Sequence, residues 1–201
     1  MMYSFIDYFD QCIPGSETVM AAISPYIQTM DLARNGFLLE AGNICHKLSY
    51  ITQGACIKYR IKDGKEEVID FYLEGMLTGD YVSFVTMGPT DQYVKALEDT
   101  RLEQITREDL LHLYSTQPLM ERAGRIISER IYCRAITRML SYQNESPELR
   151  YRNLVTERPT LFQRVPQYLI ASYLGVTAVG LSKIRKRLRD LPAMPPFIKQ
   201  V

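Results

Sequence analysis

Between Gln167 and Lys186 the chain reads QYLIASYLGVTAVGLSKIRK, a pattern that two short helices crossing at a tight turn require. Ala171 supplies the small residue where the helices cross. Gly175, four residues on, can take the left-handed conformation that ends the first helix. Ile170, Leu174 and Val176 flank these two as core positions, while Leu181 and Ile184, three apart, face inward from the second helix. Thr177 suits the N-cap of that helix, because its hydroxyl can accept a free backbone amide hydrogen. Once Leu181 and Ile184 are buried, Ala178, Val179, Ser182, Lys183 and Lys186 lie on the outer face, where a recognition helix meets base edges and phosphates. Gln167 and Tyr168 at the start of the first helix, with Thr177, complete the candidate DNA-contacting set.

Charge distribution points the same way. The total is +1, but residues 143–201 hold ten Lys and Arg against four acids, and residues 1–142 hold fourteen against nineteen. A basic end on an acidic body suits contact with a polyanion. Arg185, Arg187 and Arg189 add positive potential at the far end of the second helix. A solvated basic face on an ordinary helical hairpin is the competing reading, and the crossing alanine and turn glycine weigh against it.

Upstream, the pattern changes twice. Phe5, Ile6, Phe9, Val19, Met20, Ile23 and Ile27 recur at helical spacing, interrupted by Pro14-Gly15 and Pro25. From Phe37 to about Ile105 alternation takes over. Ile57, Tyr59 and Ile61 alternate with Lys58, Arg60 and Lys62, Asp63-Gly64 marks a tight turn, and Ile69, Phe71 and Leu73 alternate again, which predicts a hairpin. Glu66, Glu67, Asp70 and Glu74 read as solvent-facing strand residues. Recurrent glycines suit a small all-β barrel or jelly roll. Thr106 and Asp109 resemble a capping box opening a helix. After Pro118 a helix of about 24 residues is expected, roughly 36 Å long, with Met120, Ala123, Ile127, Ile131 and Ala135 as an apolar stripe. That stripe serves either as a dimer seam or as packing against the β domain.

Other classes find little support. The charge-free stretch Thr18 to Met30 is broken by Pro25 and short of the roughly 20 apolar residues a spanning helix needs. With no Lys or Arg before Arg34, the start lacks the charge pattern of a secretory signal, so a cytoplasmic location is expected. Cys12, Cys45, Cys56 and Cys133 are scattered and read as thiols. Cys45-His46 lacks a second ligand pair at metal spacing, so neither metal nor cofactor is expected. With two histidines, no nucleophile elbow and no phosphate-cradling glycine loop, nothing proposes an enzyme.

The stretch RVPQYLIASYLGVTA (164–178) followed by LSKIRKR (181–187) resembles the Crp/Fnr family of bacterial regulators, in the version common among Bacteroidetes-type members. The likeness implies an α+β chain. Its parts would be a cyclic-nucleotide-binding-like double-stranded β-helix (jelly roll) sensor over residues 1–117, a connecting and dimerisation helix over 118–143, and a helix-turn-helix domain over 144–201. It further implies a homodimer on double-stranded palindromic DNA and a small-molecule effector, with no membrane partner. The effector pocket would draw on Phe71, Gly79, Asp80, Thr90, Asp91 and Gln92. Several positions depart from the family. Gly79-Asp80 replaces the Gly-Glu pair that grips ribose, and Thr90-Asp91-Gln92 stands where an Arg grips the cyclic phosphate. The phosphate would therefore face neutral groups and an acid, which argues against cyclic AMP. The iron–sulfur cysteines and haem ligands of other relatives are absent from the sequence. On the recognition helix, Val179 and Lys183 replace the usual acid and Arg. Lys183 can still serve guanine, while Val179 offers an apolar contact. Three prolines between Leu191 and Val201 leave a winged hairpin reduced or missing. A sensor module with weakened or lost DNA binding is the alternative function.

Overall fold

The computed structural model describes residues 4–15 and 17–189. Two compact units emerge, Met1–Cys133 and Arg134–Val201. In the first, short helices α1 (Phe5–Asp10) and α2 (Glu17–Ile23) and a 3-10 turn at Ser24–Tyr26 precede the strands. Strands β1 (Gln28–Leu32), β2 (Phe37–Leu39), β3 (Lys47–Gln53), β4 (Cys56–Lys62), β5 (Lys65–Tyr72) and β6 (Leu77–Thr78) follow. Helix α3 (Tyr81–Thr86) separates them from β7 (Gln92–Ala96) and β8 (Thr100–Thr106). The strands form two four-stranded antiparallel sheets, ordered β1-β8-β3-β6 and β2-β7-β4-β5. This is the jelly-roll arrangement expected from the alternation and turn spacing. Ile51, Cys56, Val94 and Leu102 are essentially without exposure in its core, which continues across the β3–β8 pair, where Tyr50 and Ile105 face the other way and the α1 rings Phe5 and Phe9 pack, Phe5 stacked on Tyr50.

The β4–β5 hairpin turns at Asp63 (φ 51°) and Gly64 (φ 72°), with Lys62 opposite Lys65. Two left-handed residues in succession match the right-handed twist of the flanking strands. A register shift then falls between Lys58 and Tyr59, opposite Asp70 and Val68. An extra residue in one strand reverses which face later side chains take. The bulge brings Val68 to the face of Phe71, while Asp70 stays on the opposite face with Lys58. Asp70 is nevertheless buried, its carboxylate accepting from the Phe71 N–H at 2.8 Å, and Glu74, beyond the end of β5, is half-buried and accepts from the Gly54 N–H at 2.8 Å. Both correct the solvent-facing expectation.

Helix α4 (Arg107–Thr116) starts at Thr106, whose Oγ1 accepts the Asp109 N–H at 3.0 Å and donates to the Asp109 carboxylate at 2.5 Å. Helix α5 runs Pro118–Asn144. Met120, Ala123 and Ile127 are buried in the core of the first unit, Ile131 packs against that core, and Ala135 is exposed. The first part of the stripe thus packs on its own β domain. Four other residues on α5 carry apolar side chains at a spacing of seven: Leu119, Ile126, Cys133 and Leu140, of which Leu119 and Leu140 are over 40% exposed.

The second unit adds α6 (Pro147–Glu157), α7 (Leu161–Arg164), α8 (Gln167–Tyr173) and α9 (Ala178–Arg189). Ser146 caps α6 by accepting the Leu149 N–H. Leu154, Leu161, Val165, Leu169, Ile170, Leu174, Leu181 and Ile184 form its buried apolar set. Residues 191–201, where a wing was expected to be reduced or missing, and the side chain of Arg189 lie outside the described residues.

Candidate nucleic-acid interface and sensor site

The turn between α8 and α9 is built from backbone geometry that only a few residue types permit. Gly175 has φ 71°; its N–H donates to Ser172 O at 3.0 Å, and the Val176 N–H donates to Ala171 O at 3.0 Å. These paired bonds are a Schellman motif, which satisfies the last carbonyls of α8. Gly175 is needed twice over, because a Cβ there would lie 3.1 Å from the ring of Tyr142. Tyr142 and Arg138, one turn apart on α5, both donate to Tyr173 O, and Arg150 of α6 donates to Leu174 O at 2.9 Å. Arg138 also lies over the Tyr173 ring, 3.6 Å from its centroid. Cations and a phenol thus close the C-terminal end of α8, where the helix dipole is negative. The sequence pattern contained no signal for this clamp, since Arg138 and Tyr142 lie some thirty residues before the carbonyl they hold.

Thr177 caps α9, its Oγ1 accepting the Gly180 N–H at 3.1 Å. Ala171, Leu181 and Ile184 are at most 5% exposed. With that face turned inward, Thr177, Ala178, Ser182, Lys183 and Lys186 are exposed, and Val179 is 66% exposed. Gln167 and Tyr168 are exposed as well, and Gln167 accepts from Arg185 at 2.8 Å, tying the start of α8 to the second half of α9. Arg187 pairs with Glu148 at 2.7 Å. Lys183 and Lys186 have no ion-pair partner among the described residues.

In the first unit, four of the six candidate pocket residues come together. Asp80 is buried; its Oδ1 accepts the Val82 N–H at 3.1 Å as the cap of α3, and its Oδ2 accepts from the Thr90 hydroxyl at 2.5 Å. Thr90 Oγ1 in turn accepts the Gln92 N–H at 3.0 Å, and the Gln92 side-chain oxygen is buried without a partner. Gly79, at φ 128°, offers its carbonyl to Lys58 Nζ at 3.3 Å. Lys58 also lies 4.0 Å from Asp80, with side-chain exposures of 13% and 6%. Lys58 was missed because it belongs to the hairpin alternation, twenty-two residues away from its acid in sequence. Asp91 is exposed and outside this cluster, and Phe71 is wholly buried opposite Ile57 in the β4–β5 pair. Cys45 sits beside Gly79, where a Cβ would lie 3.3 Å from its sulfur, and burial pushes its thiol up. All four cysteines are free thiols, and only Cys133 is exposed.

Residues 29–117 match the family described as the cyclic nucleotide-binding domain. Among curated proteins, patatin-like phospholipase domain-containing protein 6 of human and of mouse is 27% identical over 128 residues. The match takes in 59% of this chain and 9% of theirs, so the chain spans less than a tenth of the length of these relatives. Among solved structures, FixK2 from Bradyrhizobium japonicum superposes with a TM-score of 0.67 at 17% identity, covering 81% of this chain and 84% of that one. CLP from Xanthomonas campestris, described as a c-di-GMP responsive global regulator, gives 0.65 at 15%, covering 87% and 92%. A protein from Eubacterium rectale described as a transcriptional regulator of the crp/fnr family gives 0.68 at 12%, covering 91% and 88%. No helix among the described residues is long and apolar enough to cross a membrane.

Proposed function

We propose that this chain, whose residues 29–117 match the cyclic nucleotide-binding domain family and whose fold is that of Crp/Fnr regulators, is a homodimeric, sequence-specific DNA-binding transcription regulator of the cytoplasm, not an enzyme. The observation that carries this reading is the outward face of α9. Lys183 and Lys186 stand exposed beside Val179 and Ser182, on a helix whose opposite side is fixed by Leu181 and Ile184. Such a face fits a major groove, with Lys183 reaching a guanine edge and Lys186 a phosphate. Gln167, Tyr168, Thr177 and Ala178 border it. Two copies would read half-sites about 34 Å apart.

The dimer seam we infer follows Leu119, Ile126, Cys133 and Leu140 rather than the buried Met120, Ala123 and Ile127. A repeat of seven keeps one stripe facing a parallel partner helix. It sets Cys133 opposite its own copy, so mild oxidation should give a disulfide-linked dimer that Cys133→Ser abolishes. Absence of any such cross-link in a species that sediments as a dimer would place the seam elsewhere.

The sensor barrel, on this reading, does not take cyclic AMP. A cyclic phosphate approaching Lys58 and Thr90 meets the Asp80 carboxylate that already bonds to Thr90, and like charges at that range repel strongly in a buried setting. Fluorescence anisotropy on DNA selected from a random pool tests the function directly. Affinity should fall steeply with salt, because lysines that contact phosphates release counterions. Binding that does not change between low and moderate salt would leave only a sensor module whose DNA function has been lost.

A further inference from the structure

A cleft of about 290 Å³ opens in the first unit between α3, α4 and α5, apart from the Asp80 cluster. Its floor is apolar and firm: Phe84, Leu110 and Ile127 are each at most 6% exposed. Its walls are apolar and wet, since Val85 and Leu111 remain 50% and 46% exposed. Large apolar side chains left in water around a concavity are what a ligand with an apolar body covers.

The polar groups at the cleft are few and placed. Ser128 Oγ donates to Gly124 O at 2.7 Å, so the Tyr81 hydroxyl, 2.7 Å away, donates to Ser128. That bond ties α3, the helix capped by Asp80, to α5. At the mouth stand Arg107, Arg125 and Glu121. Arg125 is engaged by Glu129 at 2.5 Å. Arg107, half-buried at the start of α4, has no ion-pair partner among the described residues. Gly124 shapes the inner end: a Cβ there would collide with the Tyr114 ring, so only glycine lets that ring lie against α5. Burial pushes the Tyr114 phenol up to about 12, keeping it a neutral donor.

We propose that this cleft is the effector site, and that it takes a small monocarboxylate with an apolar or aromatic body, the carboxylate on Arg107 and the body over Phe84, Leu110 and Ile127. The size admits a body of one ring or a short branched chain. A planar guanidinium without an acid of its own is the group that recognises a carboxylate most specifically. The proposal rests on the sensor role of this unit within the regulator reading. An occupant would touch α3 and α5 together and so bear on the Tyr81–Ser128 link.

Thermal melts of the full chain test it with benzoate, cinnamate and hexanoate, each beside its carboxamide. At least one acid should raise Tm saturably, by roughly 5 °C at a hundredfold excess over Kd, while its amide does not. Arg107→Gln should weaken that acid about tenfold or more, and Glu121→Gln should tighten it roughly threefold by removing a like charge from the mouth. Val85→Trp should abolish binding by filling the wall. Equal response to acids and amides, or no response to any of the three, overturns the proposal. So does an Arg107→Gln variant that changes oligomeric state instead, which would make a second copy the occupant. DNA affinity without ligand is measured on the same samples. Salt-dependent DNA binding with no acid response defeats the cleft alone, and an acid response without DNA binding defeats the regulator reading alone.

Discussion

The outer face of α9 and the Asp80 corner of the barrel both gather charge, and they handle it in opposite ways. Lys183 and Lys186 point into water without ion-pair partners among the described residues. Lys58 is turned inward, with 13% of its side chain exposed, toward an acid that is itself nearly covered. A hydrated lysine costs the fold little and remains free to meet a phosphate. A buried one must be matched from within, and once matched it leaves no room for an external anion. The difference supports the first region as the proposed contact surface and argues against the second as an anion site, although family resemblance alone would make both binding sites.

The comparison breaks most sharply at the turn that holds the contact surface. Gly175→Val puts a β-branched residue at φ 71° with its Cβ 3.1 Å from the Tyr142 ring. We expect a loss of about 3 kcal/mol in the second unit, from left-handed strain and crowding, and no measurable DNA affinity. A second-unit melt that stays unchanged would mean that the turn tolerates a side chain. In the barrel, Lys58→Met should cost about 2 kcal/mol, because Asp80 keeps its bond to Thr90 but loses its buried cation. The pair Lys58→Met with Asp80→Asn should recover roughly half of that in urea titrations. Additive losses would show that the 4.0 Å pair contributes nothing and that the corner is not sealed by charge.

The two regions were also unequally legible. The features that identify the α8–α9 turn lie within twenty residues, so local rules sufficed to find it: a glycine at positive φ, a capping threonine, apolar residues one turn apart. Its clamp by Arg138, Tyr142 and Arg150 comes from outside that stretch and was not readable. The Asp63-Gly64 hairpin was readable for the same reason. The Asp80 corner joins residues from β4, the loop after β6 and the start of β7, and nothing local names Lys58 as its cation. The bulge between Val68 and Asp70 put Val68 on the face of Phe71, where a period-two argument would not place it, and Asp70 and Glu74 are covered by neighbours that lie far from them in sequence, such as Gly54 against Glu74. On α5 the three-to-four spacing was read correctly as an apolar stripe, but two stripes exist, and burial decides which one the core takes.

The contact surface can be sharpened by single lysines. Lys183→Ala should lower affinity for the selected site by about 1–3 kcal/mol and relax preference at one base pair, whereas Lys186→Ala should weaken all sequences alike and reduce the salt slope by about one. If both variants behave like Lys186→Ala, the face holds DNA without reading it, and specificity comes from Val179 and Ser182 or from DNA shape.

The smallest effect concerns Gly180, which sits inside α9 at a helix cost of about 1 kcal/mol relative to alanine. A Cβ there would lie 3.3 Å from Thr177 Oγ1 and 3.5 Å from Val176 Cβ. The oxygen cannot retreat freely, because it holds the Gly180 N–H at 3.1 Å. Gly180→Ala should therefore gain only about 0.5 kcal/mol, seen as a rise of roughly 2–4 °C in the second-unit melt. The informative readout is DNA affinity in the same variant. Unchanged affinity makes the glycine a local concession to the cap. A loss of affinity alongside the gain in stability means that the start of α9 approaches a duplex backbone too closely for even a methyl group, a requirement only a contact surface would impose.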